Sequence, residues 1–260
     1  IVDCAPTGST MRMLRFPDAL RIFMSHFFEL ERRGARLIRP LVRGFDAGRL
    51  LPREEFFDAF ERLFEEIDDV QRILLDNERT SARLVVNPTR VIVDETRRSF
   101  AYLSLYGVAT DTVLVNRVMP ESAGTGYFSR WLEREQEELA EIERSFPVPI
   151  RKVGLRSREV IGADALAALA RDVFGESDPA KRFSDGRPIR IRRAGGRMRM
   201  EIDVPGISKE EVDVAMKGTD LHLRIRDGRR SIPLPDSIAG RAIERVRLRA
   251  PILEITFSDG

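Results

Sequence analysis

The sequence predicts an α/β protein, a parallel doubly wound sheet with a helical insert, followed by a small all-β sandwich. Three observations carry this. Up to about residue 183, helix-length amphipathic segments alternate with short apolar runs, the pattern of a parallel sheet with crossover helices. From residue 187 the apolar period becomes two, with Pro and Gly turns between short runs and no helix-length segment. Between the two, Asp178-Pro179 and Ser184-Asp185-Gly186-Arg187-Pro188 are turn-rich and read as a linker. Charge divides at the same seam. Residues 187–260 carry 16 Lys+Arg and 11 Asp+Glu, a net of +5, while residues 1–186 carry 28 and 31, a net of −3. Domains 1–183 and 187–260 are therefore expected.

The elements follow in order. Ile1-Val2-Asp3 reads as the last half of a buried strand, so the chain is expected to begin partway through a sheet whose N-terminal half is missing. No charged n-region or apolar h-region precedes it, so it does not read as a signal peptide. Residues 17–32 and 53–75 are helical. In the second, Phe56, Phe60, Leu63, Ile67, Val70 and Leu74 recur at three- and four-residue steps and share a face. Arg83-Leu84-Val85-Val86 is a strand. A helix from about Thr89 stops at Gly107, which suits the left-handed position after a helix. Thr112-Val113-Leu114-Val115 is a buried strand. Tyr127 to Phe146 is an acidic amphipathic helix with Phe128, Trp131, Leu132, Leu139 and Ile142 as its apolar residues. Pro149 to Val153 is a strand, and Ala163 to Phe174 a helix closed by Gly175. After the seam, residues 197–204, 221–226 and 252–257 alternate as strands, and Asp227-Gly228 signals a hairpin.

Composition bounds the function. The chain has 260 residues, 42 % hydrophobic and 33 % charged, which is ordinary for a globular protein and excludes disordered, collagenous and coiled-coil classes. No run of about 18 apolar residues is present, so no transmembrane segment is expected. The single cysteine, Cys4, excludes an intrachain disulfide and any metal site built from several of the chain's own cysteines; it suits a cytoplasmic location. A net charge of +2 gives no general pull toward nucleic acid.

The sharpest motif is Asp3-Cys4-Ala5-Pro6-Thr7-Gly8-Ser9-Thr10-Met11-Arg12. A carboxylate at the carboxyl tip of a parallel strand faces the ligand crevice of such sheets. Its bland reading is a strand-to-helix turn with a capping Asp. Context extends it. Leu84-Val85-Val86-Asn87-Pro88 is followed by Glu95, Arg97, Arg98 and Tyr102-Leu103, and Val113-Leu114-Val115-Asn116-Arg117-Val118 is a second strand ending on Asn. With these residues the chain resembles the ArsA-type ATPases, which include arsenite-pump and tail-anchored-protein-targeting members, over residues 1 to about 183.

The resemblance implies an incomplete P-loop NTPase sheet that uses ATP and Mg²⁺. Asp3 would meet Mg²⁺ through water, with Pro6, Thr7 and Gly8 as a nucleotide-sensing switch. Asn116 would read adenine, an amide being able to offer one acceptor and two donors, with Arg117, Leu155 and Arg156 beside the base. For Asn116 a satisfied loop turn is the other reading. Cys4 and Ser9 depart from the family's usual Thr and His. The Gly-Lys-Thr phosphate loop is not in this chain, so no hydrolysis by it alone is expected.

The family's helical subdomain, here about 11–80, would form a groove for a hydrophobic protein client. Met11, Met13, Phe23, Met24, Phe27, Phe60 and Phe64 would line it, methionine suiting varied apolar partners; internal packing of these faces stays open. A homodimer is implied. Metalloid transport is disfavoured, since one thiolate cannot supply a multi-sulfur site.

The tail, from Val204-Pro205-Gly206 through Val214, Leu221 to Ile225 and Ile232-Pro233-Leu234-Pro235, resembles a small heat-shock protein (α-crystallin) domain. Pro251 stands where that family has Gly. An ATP-independent chaperone or scaffold on a degenerate nucleotide fold is the alternative function. His222 reads as a surface residue, His26 as structural, and the runs Arg190 to Arg199 and Glu133 to Glu143 as solvated faces.

Overall fold

The computed structural model describes residues 1–4, 54–124 and 126–258. Contacts divide the chain into two units, 1–76 and 77–260. In the first, residues 1–4 are exposed and have no regular structure. The expected strand at Ile1 to Asp3 is thus not formed: an isolated strand is marginal without a ladder partner, and none of the described strands pairs with it. Helix α1 (Glu54–Leu75) follows the predicted span. Along its apolar stripe Leu63 and Val70 are exposed, while Ile67 and Leu74 are half-buried. Arg72 pairs with Asp68 and Asp69 one turn back.

The second unit opens with three parallel strands, β1 (Ala82–Val86), β2 (Thr110–Val118) and β3 (Ile150–Gly154), in that order across the sheet. Helix α2 (Arg90–Tyr106) joins β1 to β2, α3 (Ser129–Ser145) joins β2 to β3, and α4 (Ala163–Phe174) follows β3. Gly107 ends α2 at φ 84°, a left-handed turn that a side chain would strain. The core gathers Val86 and Phe100 with Val113, Val115, Ile142 and Phe146, the Phe100 and Phe146 rings lying 5.6 Å apart. The buried stripe of α3 is Glu135, Leu139 and Ile142. Trp131 and Phe128, predicted with it, are exposed. The row continues back from Glu135 to half-buried Leu132, and Trp131 lies one residue, about 100° of rotation, off it.

Strands β4 (Ile189–Ala194), β5 (Arg197–Asp203), β10 (Ile252–Phe257) and β9 (Ile243–Arg249) form a four-stranded antiparallel sheet. Strands β6 (Val212–Lys217), β7 (Asp220–Ile225) and β8 (Gly228–Pro233) form a three-stranded antiparallel one. Between the sheets Met200, Ile202, Leu221, Leu223, Leu253 and Ile255 are fully buried. Of the arginines read as a solvated face, Arg192, Arg193 and Arg197 are exposed, and the run also covers acids: Arg190 grips Asp203 through two 2.7 Å bonds, Arg192 pairs with Glu201 and Arg199 with Glu254. All three carboxylates are buried, and a buried acid needs a partner.

The segment read as a linker has no helix or strand between α4 and β4, yet it is tied down. Arg83, at the start of β1, donates to the carbonyls of Pro179 (2.6 Å) and Lys181 (2.8 Å) and to both oxygens of buried Asp111. Phe183 stacks on Phe174 at 5.7 Å, with the Arg83 and Arg151 guanidinium groups 4.8 and 4.1 Å from the Phe183 centroid. Arg182 donates to Asn77 O. Turn residues predict the absence of regular structure; they do not predict mobility.

Candidate functional site

In an open parallel sheet the ligand crevice lies beyond the carboxyl ends of the strands. Here that end carries Asn87-Pro88-Thr89 after β1, Asn116 and Arg117 on β2, and Leu155 and Arg156 after β3. Strand β2 does not run regularly to its tip. Val115 pairs with Lys152, the next pair is Val118 with Gly154, and the register shifts between them. The extra residue is absorbed at Asn116 and Arg117, Arg117 adopting φ 59°. Such a bulge re-aims side chains at a sheet's rim. Asn116 is half-buried, and its Oδ1 accepts the Arg117 N–H at 2.9 Å. The turn reading of Asn116 is met by this bond. The oxygen satisfies the turn, while the Nδ2 amide has no partner among the described residues and keeps two donors.

A buried carboxylate anchors the loop that follows. Glu135 on α3 is 7 % exposed, and its two oxygens accept the Met119 N–H at 2.9 and 3.1 Å. It lay within the acidic run taken as a solvated face. The signal that could have found it is its position, three residues after Leu132 and four before Leu139 on the apolar stripe. The strand is extended by Leu155, whose N–H donates to Val118 O at 2.7 Å. The Leu155 side chain is half exposed. Arg156 pairs with Asp172 on α4, so its charge is shared along the rim.

The structure therefore brings Asn116, Arg117, Leu155 and Arg156 to one end of one sheet. Asp3 belongs to the other unit and is exposed. Pro6, Thr7, Gly8, Met11, Met13, Phe23, Met24 and Phe27 lie outside the described residues. Phe60 and Phe64 fall on α1, and their side chains lie outside them too. Among the described residues no group of three His, Cys, Asp or Glu side chains could hold a metal ion, and no helix is long and apolar enough to cross a membrane.

Comparison with known proteins agrees with this architecture. The family model described as anion-transporting ATPase matches residues 1–175, and that of the HSP20-like domain found in ArsA matches residues 195–257. A Chlorobaculum tepidum protein named as an arsenical pump-driving ATPase is 32 % identical over 243 residues, 92 % of this chain and 60 % of its own length. An Aquifex aeolicus protein of the same name is 32 % identical over 267 residues, 99 % of this chain and 66 % of its own. The ATPase GET3A of Arabidopsis thaliana is 26 % identical over 173 residues, 65 % of this chain and 49 % of its own. The chain thus spans a little under two thirds of the length of the first two. With a parallel sheet over the first match and an antiparallel sandwich over the second, the chain belongs to the ArsA-type family of anion-transporting ATPases and carries that family's HSP20-like domain.

Proposed function

We propose that this chain is part of an ATPase that binds Mg·ATP at the carboxyl end of the parallel sheet and couples its hydrolysis to the binding or targeting of a hydrophobic protein client. Family membership supports the ATPase. The observation that carries the nucleotide site is the bulged tip of β2, where the Asn116 amide is held with its donors unspent. Hydrogen-bond donors at a strand tip fit the acceptor nitrogens of adenine. Leu155, half exposed beside them, offers an apolar surface for the ring, and Arg117 and Arg156 a cationic rim.

Asp3 fits an outer-sphere role, since Mg²⁺ keeps several waters and commonly takes only one or two carboxylates. Bound there, the ion would neutralise charge on the phosphates during transfer. Pro6, Thr7 and Gly8 would form the switch, 1–183 and 187–260 the two domains, and about 11–80 the client subdomain. The working protein is read as a cytoplasmic homodimer.

The test is nucleotide affinity of the full-length protein, by titration calorimetry with ATP and GTP. Asn116→Ala should weaken ATP roughly tenfold, the loss of about one hydrogen bond of 1.4 kcal/mol, and leave GTP nearly unchanged. Equal losses for both nucleotides, or none, would remove Asn116 as the adenine reader. No ATP binding by the unmodified protein would leave the ATP-independent scaffold. Arsenite, suggested by the relatives' names, should leave turnover flat if the thiolates of this chain are the ones in question, since Cys4 by itself makes no multi-thiolate site.

A further inference from the structure

The C-terminal half of α2 is buried on every side: residues 99–106 are all below the surface. A helix buried all round needs a second wall besides its own sheet. Phe100 faces the sheet core. The opposite face, with Tyr102 and Leu105, meets the β7–β8 hairpin of the sandwich. A Cβ on Gly228 would lie 3.0 Å from both the Leu105 and Tyr102 side chains, tighter than ordinary van der Waals contact, so the hairpin packs closely on this face. The Tyr102 hydroxyl donates to the Asp227 carboxylate.

The helix end supplies a second, independent observation. The last four carbonyls of a helix lack intrahelical partners. Here Gly107 N–H takes Ser104 O and Val108 N–H takes Leu103 O. Leu105 O is not taken by either of these backbone bonds, and the last turn of α2 contains no basic residue. The cation that complements a helix C-terminus comes from the other fold: Arg230 on β8 donates to Leu105 O at 2.7 Å.

We infer that the HSP20-like sandwich acts in cis as a brace for the ATPase sheet. Its β7–β8 hairpin walls and caps α2, so that helix and hairpin open together and this end of the sandwich is already occupied by the chain's own helix. The inference stands apart from the nucleotide reading, because none of its contacts involves the strand tips. The partner this surface fits is a buried helix end with a free carbonyl and a phenol, and the chain itself provides it.

Hydrogen exchange of the full-length protein tests this. Arg230→Ala and Gly228→Leu should each speed exchange of the 99–106 amides roughly tenfold or more, the worth of one charge-assisted bond. The core amides of β5 and β10 should stay protected. Unchanged protection of 99–106 would overturn the brace, as would a hairpin at 226–230 that exchanges in the unmodified protein like a free loop. Should Gly228→Leu unfold the chain, Arg230→Lys decides. Recovery of protection relative to Arg230→Ala supports a capping cation, and equal exchange in the two variants overturns it.

Discussion

Replacing Asp111 by Asn should loosen the segment between the two folds. Asp111 is 1 % exposed at the start of β2, and its oxygens accept from Arg83 Nε at 3.2 Å and Nη2 at 3.3 Å, with the Phe183 N–H at 3.4 Å. Asn keeps the shape and one acceptor but leaves the guanidinium without its counter-charge. Breaking a fully buried pair costs about 3–5 kcal/mol. Arg83 keeps 27 % of its side-chain surface in solvent and two carbonyl partners, so the cost falls to about 2 kcal/mol. For a unit of this size that is a drop in Tm of roughly 4–8 °C. Thermal melts and urea midpoints read the loss. Trypsin reads its location, because Lys181 and Arg182 sit in the segment that Arg83 holds. A variant within about 0.5 kcal/mol of the parent, with the Lys181 and Arg182 bonds cut no faster, would refute the idea that this pair holds the segment.

Two further outcomes follow from single contacts. The Tyr102 phenol is pushed up to about 12, by burial first and then by the Asp227 carboxylate, which accepts its hydrogen bond. Below pH 10 it is neutral folded and unfolded. Above pH 10 the unfolded chain releases the proton while the folded one keeps it, so this part of the stability falls and is gone as pH passes the folded value. Tyr102→Phe should therefore lose less stability than the parent between pH 10 and 12, measured by urea midpoints; parallel slopes would contradict the shift. Glu135→Ala strands the Met119 N–H and should cost about 1–3 kcal/mol, with faster exchange at 119–124. Glu135→Gln keeps an acceptor and should recover most of it, and identical behaviour of the two would show that the carboxylate does not anchor this loop.

Much of the architecture was legible because it is written locally. The three- and four-residue apolar steps from Phe56 to Leu74, the Gly107 stop after α2, and the alternation from Leu221 to Ile225 each depend on near neighbours, and the backbone follows them. The site was legible only as a strand tip. Asn116 could be placed at the end of β2 by its position after Val113-Leu114-Val115, but the shift that frees its amide arises from pairing with Lys152 and Gly154. Glu135 carried a readable signal in its place on the apolar stripe, and it was obscured by the acids around it.

Sequence alone determined the order of the elements, the change of period near residue 187 and the family motifs, since each depends on residues within a few positions of one another. Tertiary structure decided the rest. It turned a turn-rich linker into a bound segment by bringing Arg83 to Pro179, and it set arginines of a largely solvated run over buried Glu201 and Asp203. It also gave α2 its missing C-terminal cation from Arg230, 125 residues away. Such contacts leave no local period, because what selects them is the desolvation of a carboxylate or a helix carbonyl, and that cost exists only once the chain has closed around it.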